Sequence, residues 1–169
     1  MKYFYDCACY KQNCGSTSAH NLPAFGFAFQ AGEPQLAIVG TPLQIPSTGP
    51  NPNQTVPIVY DTVSIGTGIK VQRPGIYQIS YTLTISLDNT PMIPEWVRFF
   101  LTLHTPTNII PGSGTAIRSN VIGTGEVDVS SGIILINLSP GDLIQIVPVE
   151  IQGTADVRAA ALTVLQIGG

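Results

Sequence analysis

Charge is what this chain has least of. Only 10% of its 169 residues are Asp, Glu, Lys or Arg, against about 25% in an ordinary soluble domain. The seven Lys and Arg residues stand singly and the net charge is −3. No basic patch is therefore available to neutralise phosphates, which excludes nucleic acid and an anionic membrane as partners. Long apolar runs are also missing: nothing approaches the roughly 18 consecutive apolar residues of a membrane-spanning helix. Residues Met1 to Cys7 include Asp6 and hold no apolar stretch, so no secretory signal is expected. No Gly-x-y tract occurs, which excludes a collagen-like triple helix. No ten-residue stretch keeps a 3.6-residue period, which argues against helices. Yet the mean hydropathy is positive. A chain that is apolar, poorly charged and not membrane-spanning is expected to cover its surface with copies of itself.

What is present is strand pattern. In Gly75–Leu87, residues Tyr77, Ile79, Tyr81, Leu83, Ile85 and Leu87 alternate with Gln78, Ser80, Thr82, Thr84 and Ser86. This gives one apolar face and one hydroxyl-rich face without charge, as in a strand whose second face meets more protein. Leu22–Phe29 sets Phe25, Phe27 and Phe29 against Ala24, Gly26 and Ala28, an aromatic face over small residues. Val56–Ser64 and Ile69–Gln72 are expected to form a hairpin around Gly66-Thr67-Gly68, and Ala116–Ile122 with Glu126–Val129 another around Gly123-Thr124-Gly125. Val97, Phe99, Leu101 and Leu103 share a face. Ile133–Leu138 reads as a strand buried on both sides. Leu143–Ile151 and Val157–Ile167 complete the set. Short strands at regular spacing imply an all-β sandwich or jelly roll over residues 22–169. Phe25, Phe27, Phe29, Tyr77, Tyr81 and Phe99 are its expected packing residues, in the core or around an axis between copies.

Residues 1–21 form a separate segment. It holds Cys7, Cys9 and Cys14, all three cysteines of the chain, together with Tyr3, Phe4, Tyr5 and Tyr10. Disordered tails are seldom so rich in aromatics and cysteines, so the segment is expected to dock, most simply on another subunit. Cys7 and Cys9 are too close in an extended chain to bond each other comfortably. Cross-links to other chains, free thiols, and a metal site completed by His20 are the three readings of the cysteines.

Catalysis finds no support. His20 and His104 are the only histidines, and Ser113 has no nucleophile elbow around it. Glu126 and Asp128 sit two residues apart on one strand face. A solvated face explains them more simply than a cation site, since calcium needs six or more oxygens. Neither Gly-Thr-Gly tip precedes a helix, so neither cradles a phosphate. Arg98, Arg118 and Arg158 stand among apolar strands and suit pairing with Asp128, Glu150 or Asp156. No cofactor is implied.

Three features in order resemble the trimeric tumour-necrosis-factor-like and complement-head jelly rolls. They are Ala24–Phe29, Pro74–Tyr81, and Ser131–Leu138 followed by Pro140-Gly141-Asp142. Leu22–Phe29, Tyr77–Asp88 and Asn108–Leu138 further resemble the exosporium basal-layer proteins of Bacillus spores, the BxpB/ExsF type. Asn108–Gly114 and Ile122–Gly132 carry that likeness most specifically. The resemblance implies a homotrimer at the spore surface, made in the mother cell, with a structural and non-enzymatic role, either as a subunit of a spore appendage fibre or lattice or as an adaptor anchoring collagen-like nap glycoproteins. A ligand-binding head is the remaining alternative.

Overall fold

The computed structural model describes residues 22–46, 58–88, 95–119 and 126–169. Ten strands lie among them: β1 (Phe25–Leu36), β2 (Ile58–Tyr60), β3 (Thr62–Ser64), β4 (Gly68–Val71), β5 (Gly75–Asp88), β6 (Glu95–Leu103), β7 (Thr115–Ser119), β8 (Glu126–Leu138), β9 (Leu143–Gln152) and β10 (Thr154–Gly168). They form two five-stranded sheets of order β2-β1-β10-β5-β8 and β3-β4-β9-β6-β7, called here the first and second sheet. Every pairing is antiparallel. The chain crosses repeatedly between the layers, as a jelly roll does.

The Gly75–Leu87 alternation sets the core. Tyr77, Ile79, Tyr81, Leu83, Ile85 and Leu87 are all buried, facing Val97, Phe99 and Leu101 of β6 and Ile144 and Ile146 of β9 in one apolar cluster. Gln78, Ser80, Thr82 and Thr84 of β5 lie on the other face, half-buried or exposed, and Ser86 is buried.

Three expectations about connectivity need correction. Val56–Ser64 is not one arm of a hairpin. Asp61 takes a left-handed backbone (φ 50), and the chain changes sheets there: β2 pairs with β1, while β3 pairs with β4. The hairpin with Gly66 at its turn is confined to β3 and β4. Ala116–Ile122 and Glu126–Val129 do not pair with each other. β7 pairs with β6 in the second sheet and β8 with β5 in the first, so this connection crosses the sandwich; its tip at 123–125 lies outside the described residues. Finally, Ile133–Leu138 is not buried on both sides. It belongs to β8, which runs unbroken through Ser130–Gly132 and forms an edge of the first sheet.

Between β1 and the next described strand, Gly40 and Leu43 donate backbone N–H bonds to Pro148 and Ile146 at 2.9 Å each. This stretch thus satisfies the flank of β9 beyond the reach of short β4, whose pairing ends at Gln145. Pro148 itself sits where the β6–β9 register shifts between Arg98 and Phe99, a bulge that tolerates a residue with no N–H.

Candidate self-association face

The site begins with the handedness of β1. Gly26 and Ala28 point into the sandwich, and Phe25, Phe27 and Phe29 point away from it, half-buried. The three phenylalanines are therefore not core residues of the protomer. Gly26 supplies the reason: a Cβ there would lie 2.7 Å from Thr62 Oγ1 and 2.8 Å from Ile69 Cγ2. The two sheets approach too closely at that point for any side chain, so the small residues must face in. On the outside, the Phe27 and Phe29 rings stack with centroids 5.6 Å apart and planes at 25°.

Register carries the aromatic row across the whole first sheet. Phe25 stands beside Leu165, then Gln78, then Leu135; Phe27 beside Thr163, Ser80 and Ile133; Phe29 beside Ala161, Thr82 and Ser131; Ala31 beside Ala159, Thr84 and Val129. Not one of these four rungs contains a charged residue. The edge strand is the most open part: Val129, Ile133 and Leu135 are 61%, 63% and 64% exposed. A face free of charge, with large apolar side chains along β1 and β8 and uncharged polar side chains of β5 between them, suits an interaction surface. The second sheet differs outwardly, with Arg98 bonded to Glu150 at 3.1 Å, one of the pairings expected from sequence.

Tyr77, Tyr81 and Phe99 are core residues, fully or almost fully buried, so neither tyrosine is available to line an axis between copies. The Tyr77 hydroxyl donates to the Arg73 carbonyl at 2.9 Å, and that of Tyr81 to the Ser113 carbonyl at 2.6 Å. Burial raises both phenols above their ordinary range, offset in part by the Arg73 charge at Tyr77 and by the Thr115 hydrogen bond at Tyr81.

The remaining candidates are dispersed. Ser113 spends its hydroxyl on its own loop, donating to the Ile110 carbonyl at 2.7 Å and accepting from the Leu101 N–H at 2.9 Å. His104, at left-handed φ 64, ends β6 and pairs with Asp142 at 2.8 Å. Asp128 accepts from the N–H of Val129 and is exposed. Arg158 reaches Ser86 Oγ at 3.3 Å. Cys7, Cys9, Cys14, Tyr3, Phe4, Tyr5, Tyr10 and His20 lie outside the described residues. Sequence reasoning assigned Ile133 and Leu135 to the interior; Ile133–Ile136 is apolar at every position, so no alternation marked which face would lie outside.

This architecture is a TNF-like jelly-roll β-sandwich. No family model and no curated protein matches the chain. Among solved structures it is similar to the Eiger TNF of S. frugiperda, at TM-score 0.58 and 10% identity, over 87% of this chain and 94% of that one. It is similar also to the globular domain of zebrafish complement 1qA, at TM-score 0.51 and 15% identity, over 85% of this chain and 97% of that one. At such identities the likeness is one of fold.

Proposed function

We propose that this protein is a non-catalytic building block that forms homotrimers through the outer face of its first sheet. The observation that carries the reading is the uncharged surface from Phe25–Phe29 on β1 to Val129–Leu135 on β8. A stable interface keeps charged residues off its centre, as this face does. The TNF-like fold and the resemblance to trimeric heads support a stoichiometry of three. The resemblance to the BxpB/ExsF type supports a place in the exosporium, at the spore surface. There the trimers are joined through residues 1–21 into a fibre or lattice, with Tyr3, Phe4, Tyr5 and Tyr10 as docking side chains and Cys7, Cys9 and Cys14 as cross-links. A head-to-tail contact of that kind does not close on itself, so it propagates. Where that segment joins the fold, Leu22 and Pro23 border a cleft of about 580 Å³ with Arg73, Pro74 and Gln166.

Analytical ultracentrifugation of the full chain and of an Ile133→Glu/Leu135→Glu variant tests the interface. The expected result is a trimer or larger species for the natural sequence and a folded monomer for the variant, because two carboxylates desolvated per protomer oppose association by several kcal/mol. A variant that still trimerises removes this face from the interface. An adaptor role makes a different forecast, namely co-purification of a collagen-like glycoprotein with trimers that do not polymerise.

A further inference from the structure

The outer face of the second sheet carries a cavity of another character. Trp96, the chain's single tryptophan, stands on β6 directly across from Arg118 on β7 and from Gln152 on β9. One rung along, Arg98 stands between Ala116 and Glu150. The small Ala116 side chain leaves room beside the two arginines, and the resulting cavity of about 310 Å³ is lined by Trp96, Arg98, Ala116, Ile117, Arg118 and Gln152.

Most polar groups here are already committed. The Trp96 indole N–H donates to Gln152 Oε1 at 2.6 Å, which fixes the plane of the ring. The Arg98 guanidinium bonds Glu150 at 3.1 Å and lies 5.4 Å from the centroid of Phe100. Arg118 is the exception: it is exposed, and among the described residues no hydrogen bond, ion pair or ring contact engages it. A rigid aromatic plate therefore sits beside an uncommitted planar fork of N–H donors, the arrangement that suits a carboxylate held in two parallel hydrogen bonds. Two guanidiniums against one carboxylate make the cavity locally positive in a chain of net charge −3.

We propose that this cavity binds one acidic sugar ring, a hexuronic acid. The weakly positive C–H face of the pyranose lies on the negative face of the Trp96 indole, and the ring carboxylate pairs with Arg118. The volume favours a single ring over a peptide, since small-molecule pockets begin at about 300 Å³. Because the indole is pinned before binding, little ordering is required when the ligand arrives. The site is on the sheet opposite the proposed trimer face, so trimerisation there leaves it open, and the proposal goes beyond the structural role.

The lone tryptophan reports directly on the site. Full-length protein is titrated with sodium glucuronate, glucose, sodium acetate and tetraglutamate at constant ionic strength, with Trp96 fluorescence as the readout. Glucuronate is expected to give a saturable change and to bind at least about tenfold more tightly than glucose, which lacks the charge-assisted pair with Arg118, and than acetate, which lacks the ring that lies on Trp96. Arg118→Ala is expected to weaken glucuronate by about tenfold or more, with circular dichroism and sedimentation unchanged, and Arg118→Lys to recover part of the affinity. No saturable change with glucuronate, equal binding of glucose or acetate, tighter binding of tetraglutamate, or an Arg118→Ala variant with unaltered affinity would each overturn the proposal. None of these outcomes depends on whether the protein forms trimers.

Discussion

Gly132 stands directly across from Tyr81 on the neighbouring strand, and the tyrosine ring fills the space its side chain would need. A Cβ on Gly132 would lie 2.6 Å from Tyr81 Cε1. The ring leans over the glycine so that its hydroxyl can reach the Ser113 carbonyl and Thr115 Oγ1, which belong to the loop and strand following β6. One tyrosine of the first sheet thereby fastens the second, and a glycine within a strand makes room for it.

Gly132→Ala is expected to lower protomer stability by about 1–3 kcal/mol, the usual result of overpacking a filled interior. Chemical denaturation of the natural and variant chains measures it. Unchanged stability would mean that the Tyr81 ring has room to move.

Tyr81→Phe keeps the ring and removes the donor. It is expected to cost about 1–2 kcal/mol, because the buried Ser113 carbonyl loses its partner. The same variant tests pH dependence. Burial holds the phenols of Tyr81 and Tyr77 above the ordinary tyrosine value of about 10. The folded state then retains protons that the unfolded chain releases. The associated stability is complete below pH 10 and is lost as pH rises from there through the folded-state values. Melting temperatures between pH 8 and 11 are expected to fall above pH 10, less steeply in Tyr81→Phe. Parallel slopes would assign the alkaline loss to other groups.

Gly26→Val puts a Cβ 2.7 Å from Thr62 Oγ1 and 2.8 Å from Ile69 Cγ2 and adds two methyl groups to it. It is expected to destabilise the fold by about 3 kcal/mol or more, at the upper end of overpacking penalties, since both sheets would have to separate. Phe27→Leu, on the outer side of the same strand, is expected to change monomer stability by less than about 1 kcal/mol while weakening association. Denaturation and sedimentation together distinguish these two effects.

Deletion of residues 1–21 is expected to leave soluble trimers and to abolish higher assembly, visible by electron microscopy. Replacing Cys7, Cys9 and Cys14 together by serine separates docking from locking. Filaments that still form but dissolve in heat or denaturant assign the cysteines to cross-linking. Assembly unchanged after the deletion would refute any part for the segment.

Much of the fold was legible because a strand writes its burial into every second residue. The β5 alternation named six core side chains correctly, and β6 named Val97, Phe99 and Leu101. Legibility ended where local pattern does not encode neighbours. Phe25, Phe27 and Phe29 could from sequence have packed in the core or between copies, and the contact of Thr62 and Ile69 over Gly26 turned them outward. Ile133–Leu138 looked doubly buried because both of its faces are apolar, but only the face of Ile134 and Ile136 meets the core, and among the described residues nothing covers Ile133 and Leu135. The Gly-Thr-Gly tips looked alike, but β3 and β4 pair whereas β7 and β8 part company. The cluster of Trp96, Arg118 and Gln152 was not foreseen, since three separate strands bring it together.

Alternation of apolar and polar residues, turn residues at regular spacing and scarcity of charge are properties of the chain itself. They settled in advance that it would form strands, that the strands would make a sandwich, and that some surface would be apolar. Strand order and the spacing between sheets arise from contacts between residues far apart in sequence. The tertiary structure alone therefore decided which apolar face closed on the core, which remained open along β1 and β8, and which three side chains met on the far side.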